Sequence, residues 1–341
     1  MAVTTPPSAT RAETARAAAE QPQDDRPAYR PYAVTVAAVK QLSPHFVRLT
    51  LTGEELQHFS TAGDDQRIKL FLPTPEGTLS DLGLQDGSAA DGTWYENWRQ
   101  EPEDRRSPMR TYTVRAVRPQ QREIDVDLVL HGDAGPASRW AQQVREGDAL
   151  RVVGADARSV NWDSGRDWHP GQARQALLAG DETAVPAVCA ILENLPAGLQ
   201  AHAFLEVPTS EDFLDIDLPQ GAEITWLARS GVPHGEKLVP AVRRWARENV
   251  QLIGPARAVV PQQLEDVDVD EQLLWDSPVL YRQPTDSCGR GEQCGGAFYA
   301  WFAGEAGVIK TLRRFLVREV GVCRRRVAFM GYWRHGRAEA Q

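Results

Sequence analysis

From Tyr32 to Gly154 apolar and polar residues alternate with a period of two, and beyond residue 172 that rhythm gives way to strands interleaved with helices. No other feature limits the possible folds of this chain so tightly. Val47, Leu49 and Leu51 alternate with Arg48, Thr50 and Thr52. Ile68, Leu70 and Leu72 flank Lys69 and Phe71, and Ile124, Val126, Leu128 and Leu130 alternate with Asp125, Asp127 and Val129. Successive side chains of a strand point to opposite faces, so the pattern predicts half-buried antiparallel strands. With Tyr32–Val39, Thr111–Arg115 and Ala149–Val153 the segment supplies six strands, enough for a small barrel. The polar stretch from Ser80 to Pro108, with its Gly and Asp clusters, reads as an excursion between strands, outside the core.

After a loop containing Trp162, Trp168 and Pro170, Ala176–Ala179 forms a short apolar strand ending in Gly180-Asp181-Glu182-Thr183. A helix to Asn194 follows, and the Asp, the Thr and Pro186 suit its start. His202–Val207, Ile224–Ala228, Phe298–Phe302 and Val327–Met330 read as further strands, Leu238–Glu248 and Val308–Val320 as helices. Strands that alternate with helices predict a mainly parallel sheet with covered faces. The expected fold class is therefore β + α/β. An N-terminal six-stranded antiparallel barrel occupies residues 29–155, a linker 156–172, and an α/β domain 173–337. Residues 1–28 are rich in Ala, Thr, Pro and charge, have little to bury, and read as a disordered tail.

A net charge of −9 excludes a general nucleic-acid binder. The longest apolar runs are too short to span a bilayer, and the first residues lack the apolar core of a secretory signal. Four cysteines at irregular spacing make no disulfide framework. These features predict a cytoplasmic monomer without membrane or nucleic-acid partners. The last 32 residues depart from the overall charge. They carry Lys310, Arg313, Arg314, Arg318, Arg324, Arg325, Arg326, Arg334 and Arg337 against Glu319 and Glu339. Such a basic end either attracts an anionic small ligand or forms solvated helix faces.

Two segments carry chemistry. In Arg110-Thr111-Tyr112-Thr113, at the start of a strand, Arg110 and Tyr112 share a face; an Arg offers a forked donor to phosphate and a Tyr a flat face to an aromatic ring. Taken alone, the tetrad also suits an ordinary strand face. The second segment runs from Leu130-His131-Gly132-Asp133-Ala134-Gly135 through Pro136-Ala137-Ser138-Arg139-Trp140, a Gly-rich turn entering a short helix. Backbone N–H groups there, with the Ser138 hydroxyl, suit a pyrophosphate. His131 reads equally as a strand-end histidine bonded to backbone. Gly289-Arg290-Gly291 precedes a strand and lacks the third Gly of a dinucleotide fingerprint. Cys288 and Cys294, two thiols in a Gly-rich loop, are too few for an iron–sulfur cluster and read as a labile disulfide or a solvated loop. Cys189 and Cys323 read as packing residues.

A barrel with both segments ahead of an α/β domain resembles the ferredoxin–NADP reductase superfamily. Four further segments narrow the resemblance to siderophore-interacting proteins, FAD-dependent ferric-siderophore reductases. They are Gly180-Asp181-Glu182-Thr183-Ala184, Leu274-Trp275, Gly304-Glu305-Ala306 with Lys310 and Arg313-Arg314, and Gly331-Tyr332-Trp333-Arg334. The resemblance implies that Arg110 binds the FAD pyrophosphate beside Thr111, that Tyr112 packs on the isoalloxazine, and that Thr113 approaches its reactive edge. His131, Asp133, Ala137, Ser138 and Trp140 line the rest of the flavin site, and Asp181 and Thr183 lie where the second domain meets the cofactors. It also implies a basic siderophore pocket from Lys69, Arg334 and Arg158. The turn Gly154-Ala155-Asp156-Ala157-Arg158 departs from the family's Gly-Pro-Arg-Gly pattern.

The implied function is cytoplasmic reduction of ferric siderophores, with FAD as cofactor and NADH or NADPH, or else reduced ferredoxin, as donor. No residue of the chain acts as nucleophile or base, and no resident metal is involved. The acidic run Thr209-Ser210-Glu211-Asp212 after a strand leans toward NADH, with Arg229 the alternative partner for a 2′-phosphate. Two other functions fit the same scaffold: a general NAD(P)H:flavin or ferredoxin reductase, and a siderophore-binding protein without reductase activity.

Overall fold

A computed structural model describes residues 23–130, 136–258, 262–269, 271–278 and 297–336. The chain divides into two compact units. The first gathers residues up to Ala38, Thr50–Val126 and Arg145–Gly165; the second gathers Val39–Leu49, Asp127–Val144 and Arg166 onward. Among the described residues no helix is long and apolar enough to cross a membrane.

Seven strands build the N-terminal sheet: β1 (Tyr29–Ser43), β2 (Phe46–Thr52), β3 (Arg67–Phe71), β4 (Met109–Thr113), β5 (Ala116–Arg118), β6 (Glu123–Val129) and β7 (Ala149–Ala155). Their order is β4-β3-β7-β1-β2-β6-β5. Both edge strands are consecutive in sequence, joined by Val114 and Arg115 alone. Val114 N–H donates to Gln66 O just before β3, and Arg115 N–H to Asp125 O in β6. A link that short reaches only about 10 Å, so the two edges are held close and the sheet must curl into a barrel. Seven strands replace the expected six because three-residue β5, cut off by Pro119, is too short to display a period.

Alternation also misjudged one face of β6. Asp125 and Asp127 are buried, each under an arginine: Arg118 grips Asp125 at 2.7 Å through both terminal nitrogens, and Arg48 grips Asp127 at 2.6 and 2.8 Å. The segment from Ser80 to Pro108 is likewise not outside the core. Its helix α1 (Trp94–Gln100) sets Trp94 and Trp98 one turn apart, and both meet Phe71 edge-on, with centroids at 6.0 and 5.8 Å. Trp98 is fully buried and donates its indole N–H to Ser107 O at 2.9 Å. Part of the expected tail belongs to the fold, since Asp24 bridges Ser159.

The second sheet contains β8 (Gln175–Asp181), β9 (Gln200–Val207), β10 (Ala222–Ala228), β11 (Trp275–Asp276), β12 (Phe298–Glu305) and β13 (Val327–Trp333), in the order β10-β9-β8-β12-β13-β11. All its pairings are parallel except β11–β13. Two-residue β11 is the strand that the sequence did not announce. After α2 (Pro136–Ala141), the longer helices among the described residues are α3 (Val185–Glu193), α4 (Leu238–Glu248) and α5 (Ala306–Arg314). Ala176 and Leu178 of β8 pack with α3, Leu177 and Ala179 with α4 and α5, so both faces are covered. The expected helix Val308–Val320 is in fact α5 followed by a π-helical turn, Phe315–Val320, that stops at left-handed Gly321.

The aromatic insert should be essential to the barrel. Trp98→Ala is expected to cost about 3–5 kcal/mol of the first unit's stability, read by denaturant unfolding; a loss below about 1 kcal/mol would mean that the insert only drapes over the sheet.

Candidate functional site

In the first unit the chemistry centres on β4. As an edge strand it pairs only with β3 within the sheet, and Met109 to Tyr112 are all partly exposed, whereas Thr113 is buried. Alternation puts Arg110 and Tyr112 on one face and Met109, Thr111 and Thr113 on the other. The Arg110 guanidinium donates to Met109 O at 2.7 Å. A forked cation and an aromatic ring side by side on an uncovered strand fit a ligand carrying both a pyrophosphate and a flat ring, as FAD does.

Lys69 stands opposite Thr111 in the register, and its Nζ donates to Thr111 Oγ1 at 2.6 Å. It therefore lies on the other face of the sheet from Arg110 and Tyr112. Arg158 is held by Asp156 through Nε and Nη2, at 2.9 and 2.7 Å. Asp156 is buried and also lies 3.7 Å from Arg30 and 3.9 Å from Arg26. Glu55 pairs with Arg30 and Asp24 with Arg26, so three arginines meet three acids. Burial pushes the Asp156 carboxyl up, but the Arg158 hydrogen bonds outweigh it and hold the group below its usual range. The expected cationic turn is neutralised from within.

In the second unit α2 begins at Pro136; Ala137 and Ser138 are buried and Trp140 half-buried. His131 and Asp133 lie outside the described residues, as do Cys288, Cys294 and Gly289 to Gly291. Cys189 and Cys323 are buried thiols outside any disulfide.

The densest polar group of this unit lies at the carboxyl ends of the parallel strands. The chain runs outward from β8 through β9 and β10 on one side, then returns to β12 and β13 on the other. The ends of β8 and β12 therefore mark the switch point where open α/β sheets place ligands. Asp181, at the end of β8, accepts from Thr183 N (2.9 Å), Thr183 Oγ1 (2.5 Å), Glu305 N (2.7 Å) and Trp333 Nε1 (2.8 Å). Gly304 permits this approach: its φ is +144°, and a Cβ there would stand 2.6 Å from Asp181 Oδ2. Glu182 holds Arg229 at 2.8 and 2.9 Å and accepts from His234 Nε2 at 3.1 Å. Glu305 accepts from Val308 N, Arg334 Nη1 and His335 N.

Arg334 therefore meets one of the protein's own acids, contrary to expectation, because Glu305 at the neighbouring strand end lies within its reach. Asp181 and Thr183 bond to each other, and both are engaged within the chain. Sequence reasoning missed Glu182, Glu206 and His234; an acidic residue at or near a parallel strand's end was the available signal.

Burial raises the Asp181 carboxyl to about 6, with the adjacent Glu182 adding to the effect. Burial also works against Glu182, but the His234 and Arg229 hydrogen bonds prevail and lower it to about 2. His234 is correspondingly raised: burial opposes its charge, and the bond to Glu182 overcomes that. Between the ordinary Asp range and about 6 the folded protein holds a proton that the unfolded chain has released. The Asp181 contribution to stability therefore falls as pH rises through that window. Since Asp181 accepts from the Trp333 indole, the Trp333 Nε1–H NMR shift should titrate with a midpoint near 6. Asp181→Asn should abolish the step; a Trp333 signal flat from pH 5 to 7 in the parent would refute the shift.

Comparisons with known proteins bear on the family and the fold. Residues 35–159 match the profile of the siderophore-interacting FAD-binding domain, and residues 173–336 that of the siderophore-interacting protein. The ferric vibriobactin reductase ViuB of Vibrio cholerae is 35% identical over 190 residues, 56% of this chain; the match spans 64% of ViuB's own length. The crystal structure of the siderophore-interacting protein SipS from Aeromonas hydrophila superposes with a TM-score of 0.60 at 30% identity, covering 92% of this chain and 94% of SipS. The ferredoxin reductase of carbazole 1,9a-dioxygenase (TM-score 0.53, 13% identity, 89% and 70% covered) shares the fold alone. With both halves matched in order, the chain belongs to the siderophore-interacting protein family, with an FAD-binding domain on a ferredoxin-reductase-like fold.

Proposed function

We propose that this chain is a cytoplasmic, monomeric FAD-dependent reductase that releases iron from ferric siderophores by converting it to the ferrous state. Residues 29–155 would hold the flavin and residues 173–337 would form the second domain, joined by 156–172. The observation that carries this reading is the Arg110-Thr111-Tyr112-Thr113 edge strand inside a matched siderophore-interacting FAD-binding domain. Ferric iron is a hard acid gripped by oxygen ligands, and the ferrous ion is held far less tightly. Bound FAD supplies the redox chemistry, taking electrons in pairs and releasing them singly. The chain's own residues bind and orient. Arg110 meets the pyrophosphate and Tyr112 packs on the ring system. Thr111, Thr113, Ala137, Ser138 and Trp140, with His131 and Asp133, complete the flavin site.

Lys69, Arg158 and Arg334 are proposed to face the anionic shell of the ferric siderophore. Arg158 and Arg334 are already paired with Asp156 and Glu305, so a ligand must share them with buried carboxylates. Electrons come from NADH, NADPH or a reduced ferredoxin.

The protein should purify yellow with FAD. Arg110→Ala should weaken flavin retention by roughly 1.5–3 kcal/mol, read by flavin titration of the apoprotein. Full FAD occupancy of that variant after extensive dialysis would remove Arg110 from the site.

When the anaerobically reduced protein is mixed with a ferric siderophore, oxidised flavin absorbance should return while a ferrous chelator traps iron. Binding without reoxidation would make the protein a siderophore carrier. Reoxidation by ferredoxin alone would make it a general reductase. Lys69→Ala should raise the apparent siderophore constant several-fold, about 1 kcal/mol, and the difference should shrink at high salt. Unchanged constants at low salt would move the pocket elsewhere.

A further inference from the structure

A nicotinamide dinucleotide that docks on an open α/β sheet places its pyrophosphate at helix N-termini outside the carboxyl strand ends. Three helices of the second unit begin at that edge: α3 after β8, α4 after β10 and α5 after β12. Each start is already served by a carboxylate of the chain. Glu206, fully buried on β9, accepts from Gly235 N at 2.8 Å, Lys237 N at 3.0 Å and Leu238 N at 3.1 Å, the backbone donors at the head of α4. Glu305 accepts from Val308 N at 2.9 Å at the head of α5. Asp181 accepts from Thr183 N just before α3, and Pro186 removes another donor there.

The residues suited to the adenosine half are equally engaged. Arg229, the candidate for a 2′-phosphate, is bound through two nitrogens to Glu182 and is nearly buried. Asp212, in the acidic run suited to a ribose, is fully buried and accepts from Ser43 Oγ, His45 N, His45 Nδ1 and Thr209. Of that acidic run, Glu211 stays exposed, and it offers a ribose contact without a phosphate contact. A pyrophosphate arriving at this edge meets Glu206 and Glu305 where it needs donors. Arg229 lies 3.9 Å from Glu206 and Arg334 3.0 Å from Glu305, which offsets part of their charge, but the occupied donors cannot serve a phosphate as well.

We propose that the carboxyl edge of the α/β sheet rejects the pyrophosphate of a nicotinamide dinucleotide, with Glu206 and Glu305 as the residues that set this specificity. The proposal deepens, and rests on, the reading of the chain as a flavin reductase. It selects among that enzyme's donors: a reductant without a pyrophosphate to seat here, such as a reduced iron–sulfur protein, is favoured, and NADH or NADPH engages weakly.

The probe is ADP-ribose, which carries the pyrophosphate and adenosine without the redox-active ring, titrated calorimetrically into the intact FAD-loaded protein. The parent should show no saturable binding tighter than about 1 mM. Glu206→Ala should tighten binding at least about tenfold, and Glu206→Gln, which removes the charge and keeps one of the two acceptor oxygens, several-fold. Micromolar binding by the parent overturns the proposal, as does the failure of both folded variants to gain affinity. If neither variant folds by circular dichroism, the parent titration alone decides. FAD content and reoxidation by ferric siderophore, measured on the same samples, test the reductase reading separately.

Discussion

The buried carboxylate of Asp181 is the tie on which the second unit's carboxyl edge depends. Its four hydrogen bonds reach the turn after β8, the backbone at the end of β12 and the indole at the end of β13. Three strand ends thus converge on one side chain, and the β12–β13 register shifts there, between Gly304 and Glu305. A hydrogen-bonded group in such a site is worth most where water is absent, and its loss would leave several donors stranded together. The raised Asp181 carboxyl and the lowered Glu182 carboxyl are two sides of the same arrangement. One acid is surrounded mainly by neutral donors, the other by Arg229 and His234.

A second constraint runs through both units: cations and anions pair inside the protein. Arg48, Arg118, Arg158, Arg229, Arg313 and Arg334 each meet a buried or nearly buried carboxylate. For Arg158 and Arg334 this limits what each can offer an outside anion, and removing either arginine would strand Asp156 or Glu305.

In the first unit the site is defined by what the sheet leaves uncovered. β3 and β7 bury most of their residues, whereas β4 ends the strand order and keeps four successive residues partly exposed. The aromatic insert carrying Trp94 and Trp98 packs on Phe71, so an apolar cluster supports β3, the partner of β4.

Period-two alternation and the later strand–helix rhythm determined by themselves that a curled antiparallel sheet precedes a covered, mainly parallel one, because those periods reflect local backbone geometry. Arg110-Thr111-Tyr112-Thr113 was legible as a unit for the same reason: its members are neighbours on one strand. Strands β5 and β11 were not legible, being shorter than any period. The burial of Asp125, Asp127 and Trp98 also required tertiary structure, since each depends on a partner distant in sequence or on a neighbouring strand. Tertiary structure alone decided which charges remain for a ligand. Glu206 reaches the head of α4 across some thirty residues, Glu182 reaches Arg229 across forty-seven and Asp181 reaches Trp333 across more than a hundred and fifty. No local pattern encodes such pairings; they follow from the order in which the strands lie side by side.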